Sequence, residues 1–133
     1  MSKLYTFGYL SSKSERILSE LIAVSTPIVD VRYSPKSRHY QFTKEGMMKR
    51  DNIKYYHIRE LGNVNYRNAL DGNYTEPRIK IDDIEKGLML LHLIVVHYGR
   101  AAIFCACTSK TLCHRVTVAQ AYKEKYDVEI VHL

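Results

Sequence analysis

The chain has 133 residues, with 20 Lys and Arg against 14 Asp and Glu for a net charge of +6, 46% hydrophobic and 26% charged residues. This usage excludes a disordered chain, and a domain of this size can bury roughly two-thirds of its unfolded surface without a covalent staple. The longest apolar stretch, residues 87–96, is interrupted by His92 and falls far short of the roughly 20 residues that cross a bilayer, so no membrane partner is expected.

In chain order, residues 3–10 read as a strand. Ser11, Ser12 and Ser14 then supply capping oxygens before Ile17, Leu18, Leu21 and Ile22 fall at helical spacing. Pro27 resets the backbone, and Ile28-Val29-Asp30-Val31 is a β-branched run carrying one carboxylate. After the turn residues 34–37, residues 42–52 read as a short polar helix with Met47 and Met48 on its apolar side. Residues 53–58 form a third strand. Residues 63–80 lack periodicity and read as a long loop or lid.

Residues 81–98 read as a helix opened by Asp82, Asp83 and Glu85 and apolar nearly all round in its second half, which suits a central helix or a homodimer interface. Gly99 ends it, residues 101–107 are a fourth strand, Thr111 is a cap, residues 113–126 are the last long helix, and residues 128–133 are a final strand. Strands alternating with helices predict one α/β domain over residues 1–133. Its architecture is a three-layer sandwich with a mostly parallel sheet of about five strands and helices on both faces.

Charge and chemistry are unevenly placed. Residues 32–67 carry nine Lys or Arg against three acids, a basic third that suits an anionic partner such as a nucleotide or nucleic acid. All three cysteines, Cys105, Cys107 and Cys113, gather with His114 and Arg115 where a strand passes through a polar turn into a helix. That odd count, behind a beginning that is not signal-like, points to a reducing, cytoplasmic setting.

In open α/β sheets ligands bind at such strand ends, and a helix start favours phosphate or carboxylate. His114 and Arg115 suit an anion, while the structural alternative pairs Arg115 with Asp30. Cys113 at a helix start is a candidate nucleophile or a buried structural thiol. Cys107 precedes Arg115 by eight positions, where phosphatase and sulfurtransferase loops space cysteine and arginine by six. The set Cys105, Cys107, Cys113 and His114 lacks the paired spacing of a zinc site, and neither a metal nor another cofactor is expected. Asp30 needs a partner among Arg32, Arg38 and Arg115, and either anchors an arginine or orients water. His57 reads as a core histidine. Tyr66 and Tyr74 beside Arg67 and Arg78 form a basic-aromatic combination able to stack on bases.

The order of these signals resembles a known family. The blocks are Thr6-Phe7-Gly8, Ile28-Val29-Asp30-Val31-Arg32 with Pro35, Ser37-Arg38 and Phe42, then Tyr56-His57, Leu61-Gly62, Phe104-Cys105 and Cys113-His114-Arg115. They resemble the family catalogued as domain of unknown function 488, across nearly the whole chain. The family has no settled activity, so the resemblance implies architecture rather than mechanism. Relatives usually carry Gly-His-Ser where this chain has Gly8-Tyr9-Leu10, and an acid where it has Cys107.

The expectation is therefore a cleft that collects Gly8, Ser11, Asp30, Arg32, Arg38, Cys105, Cys107, Cys113, His114 and Arg115. It would bind a phosphate-bearing ligand through Arg32, Arg38, His114 and Arg115, and as a hydrolase it would use Asp30 on water. The alternatives are a cysteine-dependent thiol enzyme through Cys113 or Cys107 and a non-enzymatic nucleic-acid-binding module.

Overall fold

The structure is a computed structural model that describes residues 2–64, 79–106 and 114–133. Five strands, β1 (Lys3–Gly8), β2 (Ile28–Asp30), β3 (Tyr55–His57), β4 (Arg100–Cys105) and β5 (Glu129–His132), pair in the order β3-β2-β4-β1-β5. Every pairing is parallel. Helices α1 (Ser14–Ala23), α2 (Lys44–Met48), α3 (Ile84–Tyr98) and α4 (His114–Lys125) cover the two faces, completing a three-layer α/β sandwich.

The strand period of two divides the core. On β4, Ala101, Ile103 and Cys105 point to one face, where they meet Leu88, Leu91 and Val95 of α3 and Val118, Ala119 and Tyr122 of α4. Ala102 and Phe104 point to the other, where Ile17, Leu18 and Leu21 of α1 join Phe7, Tyr9, Phe42 and Met47. Both faces of the sheet are thereby buried, which explains why Ile28-Val29 of β2 and Ala101–Cys105 of β4 read as apolar runs. Among the described residues, no helix is long and apolar enough to cross a membrane.

Several local expectations are corrected. The polar helix expected over residues 42–52 is a 3-10 turn, Tyr40–Phe42, followed by the five-residue α2. The Thr43 hydroxyl separates them, accepting from Gly46 N at 3.1 Å and donating to Tyr40 O at 2.7 Å. Met47 is buried but Met48 is exposed, because a helix of so few residues turns only one of two adjacent side chains inward. Strand β3 is three residues long, as suits an edge. Ser14 begins α1 and does not cap it.

Helix α3 starts at Ile84, with Asp83 accepting from Lys86 N at 3.3 Å. It ends at Gly99, whose φ of 79° is the left-handed geometry that glycine adopts without a side-chain penalty. The lid expected over residues 63–80 lies largely outside the described residues, as do Thr111, Tyr66, Tyr74, Arg67 and Arg78.

The connections place a crevice. From β2 the chain moves outward to β3 on the α1 and α2 face, whereas from β4 it moves the opposite way, past β1 to β5, by α4 on the other face. Adjacent strands β2 and β4 thus send their connections apart, and ligands of open α/β sheets bind beyond the carboxyl ends of such strands.

Candidate functional site

Asp30 is the last residue of β2, two positions after Ile28, and so shares the face of α1 and α2. It is fully buried. Its Oδ1 accepts from Arg32 N at 3.0 Å and Arg32 Nε at 2.8 Å, and its Oδ2 accepts from Arg32 Nη2 at 2.6 Å and the Tyr55 hydroxyl at 2.5 Å. Four protein donors fill the carboxylate, so of the partners considered for it the structure selects Arg32 and not Arg38 or Arg115. Asp30 is thereby an anchor that fixes a guanidinium in two directions, a geometry lysine cannot reproduce.

Arg32 is 5% exposed and lies between two aromatic rings, its Cζ 5.3 Å from the Tyr9 centroid and 5.1 Å from that of Phe104. Burial opposes its charge, but the Asp30 bonds more than compensate and raise its pKa above the usual arginine value. Burial first, then the Asp30 charge, likewise pushes the Tyr55 phenol well above its ordinary range, so it remains a donor. With Nε and Nη2 spent on Asp30, Nη1 is buried with no hydrogen-bond partner.

The backbone beyond β2 is held by two imidazoles. His57 Nε2 donates to Arg32 O at 2.7 Å and His114 Nε2 donates to Val31 O at 2.6 Å, each the only possible sense toward a carbonyl. Burial is the main influence on His114 and lowers its pKa, with Arg115 adding to the shift and Val31 O and Asp30 opposing it. His114 is therefore the neutral tautomer with its lone pair on Nδ1. His57, expected in the core, is only half-buried but satisfied.

Arg115 is 1% exposed on the α4 face, where its Nη1 lies 3.5 Å from Cys105 Sγ. Gly8 pairs in register with Cys105, and Tyr9 N reaches Cys105 O at 2.9 Å, so the ends of β1 and β4 sit side by side. The half-buried Ser11 closes the turn after β1, with its N–H on Gly8 O at 3.2 Å.

One expected cleft is therefore two clusters flanking the sheet edge: Asp30, Arg32, Tyr55 and Tyr9 on the α1 side, and His114, Arg115 and Cys105 on the α4 side. They meet at Val31, whose carbonyl takes His114 and whose N–H reaches Phe104 O at 3.2 Å. Arg38 is exposed on the loop beyond and does not join the Asp30 cluster. Cys107 and Cys113 lie outside the described residues. Tyr55 and Tyr9 were not singled out from the sequence as site residues. The signal available for Tyr55 was a β3 position beside a strand carrying one acid.

No group of three or more His, Cys, Asp or Glu that could hold a metal ion occurs among the described residues. An open pocket of about 520 Å³ lined by Ile22, Ala23, Ser25, Asn52, Ile53 and Lys54 lies where the chain enters β2 and β3, at the opposite end of the strands. Its one cation, Lys54, has Nζ 5.7 Å from the Tyr98 ring centroid, and we place the chemistry at the buried charges instead.

Fold and site define a parallel α/β sandwich whose strand ends hold a buried, bracketed arginine beside a neutral histidine. The model of the family described as "Domain of unknown function DUF488" matches residues 15–122, and the chain belongs to that family. No curated protein and no solved structure matches the chain.

Proposed function

We propose that the protein binds a phosphate-bearing ligand, a nucleotide or nucleic acid, at the carboxyl ends of β2 and β4, with Arg32 as the principal anion ligand. The observation that carries this reading is Arg32 Nη1, a charged donor withdrawn from water and left without an acceptor. An unsatisfied buried donor costs about 1–3 kcal/mol, and more when charged, which a phosphate oxygen would recover on binding. Two rings and one carboxylate hold the guanidinium, so little side-chain entropy remains to be lost on binding.

Arg115 and His114 support the reading from the α4 side. Hydrolysis is the second reading, favoured by the lone pair that His114 keeps on Nδ1. The saturated carboxylate of Asp30 would then position Arg32 and leave activation of water to the histidine. A cytoplasmic location and a homodimer through α3 belong to the same proposal. For the homodimer, Met89, Leu93 and Val96 are exposed at positions i, i+4 and i+7 of that helix.

The test is a thermal-shift screen with inorganic phosphate, nucleotides, sugar phosphates and short oligonucleotides, comparing wild type with Arg32→Lys, which retains the charge opposite Asp30 but loses the fork. A ligand at one hundred times its Kd should stabilise wild type by about 2.7 kcal/mol and leave Arg32→Lys almost unmoved. Equal shifts in both proteins, or none in wild type with any phosphate compound, would overturn the proposal.

A further inference from the structure

Of the cations in the basic third, several are committed. Arg32 serves Asp30, Arg50 makes two 3.0 Å bonds to Glu15, and Arg59 lies over the Tyr33 ring and donates to its hydroxyl at 2.6 Å. Lys36, Arg38, Lys44 and Lys49 are exposed and have no ion pair among the described residues. Residues 33–49 contain a single acid, Glu45, so the stretch of chain that carries these four cations is a net positive strip of sequence.

The strip is a fixed bracket on the arginine cluster. Lys44 N bonds Pro35 O at 3.1 Å, joining the start of α2 to the turn after β2. A column of stacked groups runs from the sheet to this bracket: Phe104, Arg32, Tyr9, then Phe42 at 4.7 Å from Tyr9, then Arg50 at 5.1 Å from Phe42. Tyr40, in the same 3-10 turn as Phe42, is 53% exposed, and Lys49 Nζ donates to its hydroxyl at 2.7 Å. Four exposed cations without an ion pair in one short segment, the 53% exposed Tyr40 ring that Lys49 already contacts, and a buried anion ligand just past the end of β2 match one polyanion strand rather than a small molecule.

We propose that the bound phosphate belongs to single-stranded nucleic acid, with one phosphate at Arg32, the flanking backbone along Lys36, Arg38, Lys44 and Lys49, and a base stacked on Tyr40. This rests on the preceding reading of Arg32 and names its ligand class. Four cations from one short exposed segment suffice for one backbone, and stacking on the exposed ring requires an unpaired base. The stack is sequence-tolerant, because every base has a π-face.

Fluorescence anisotropy with labelled oligo(dT) and oligo(U) of about 12 nucleotides, a length within the site sizes of single-strand binders, tests this inference. Five backbone contacts on a single strand, at Arg32 and the four exposed cations, give a slope of log K against log salt near about −3.5, an affinity loss of about 130-fold between about 50 and 200 mM salt. The double variants Lys36→Glu/Arg38→Glu and Lys44→Glu/Lys49→Glu should each reduce the slope by about 1.4. Tyr40→Leu should weaken binding by about five-fold or more, the lower end of a base stack, while leaving the slope in place.

Slopes unchanged by both double variants, or a blunt duplex of equal length bound as tightly as the single strand, would overturn the inference. If a mononucleotide shifts the melting of wild type through Arg32 while oligonucleotides bind no tighter than it does, the nucleic-acid inference falls and the phosphate site stands. If neither binds, both fall.

Discussion

Replacing Asp30 with Asn removes one charge and almost no volume from the interior, so its cost isolates the electrostatic role of the carboxylate. The amide keeps one acceptor but turns the other oxygen into a donor that faces either Arg32 N and Nε or Arg32 Nη2 and the Tyr55 hydroxyl, all four of which now donate to Asp30. Arg32 is then a buried cation without its counter-ion, and breaking a buried pair from one side costs about 3–5 kcal/mol. An unfolding entropy of about 2.1 cal/mol/K per residue gives this chain about 0.28 kcal/mol/K, so the melting midpoint should fall by about 11–18 °C.

Tyr55→Phe is the internal control. It removes one donor and leaves the three Arg32 bonds, so the lower end of a charge-assisted hydrogen bond, about 1.5 kcal/mol, should lower the midpoint by about 5 °C. Circular dichroism melts and urea titrations of the three proteins would measure both. An Asp30→Asn midpoint no lower than that of Tyr55→Phe would refute the claim that Asp30 and Arg32 form an anchored buried pair, and with it the physical basis for the unsatisfied Nη1.

Three further outcomes follow from other parts of the molecule. His114 has a folded pKa below its ordinary value of 6.5, so the unfolded chain binds more protons and stability falls as pH drops below 6.5. His114→Gln keeps a donor for Val31 O and should lose that part of the acid sensitivity, as melts across pH 5–7.5 would show, whereas an unchanged profile would refute it. Gly46→Ala places a Cβ 2.0 Å from Tyr40 O and should cost about 1–3 kcal/mol, because α2 must lift from the 3-10 turn; denaturation midpoints no lower than wild type would contradict this packing. Leu93→Glu, on the exposed face of α3, should turn the proposed dimer into a monomer in sedimentation velocity and remove the dependence of the melting midpoint on protein concentration, and a monomeric wild type would refute the dimer.

The order of strands and helices was legible in the sequence because apolar periodicity is local. Runs such as Ile28-Val29 and Ala101–Phe104 declare a strand buried on both faces, and Gly99 marks a helix end through its own backbone freedom. Element ends were less legible. Met47 and Met48 cannot be told apart by composition, and only the packing of α2 against Phe42 and Tyr9 decides which is buried.

The site divides the same way. Sequence alone brought Asp30, Arg32, His114 and Arg115 into consideration, since charged residues at the ends of apolar strands and the start of a helix need partners and this architecture gathers them at one edge. Which charge meets which was decided by tertiary structure. The strand period sends Asp30 and Arg32 to the α1 face and leaves Arg115 beside Cys105 on the α4 face, and the order β3-β2-β4 brings Tyr55 to Asp30 from 25 positions away. A pattern along the chain fixes the spacing of side chains on their own element, but an ion pair or a hydrogen bond depends on the relative placement of two elements, and only the folded sheet supplies it.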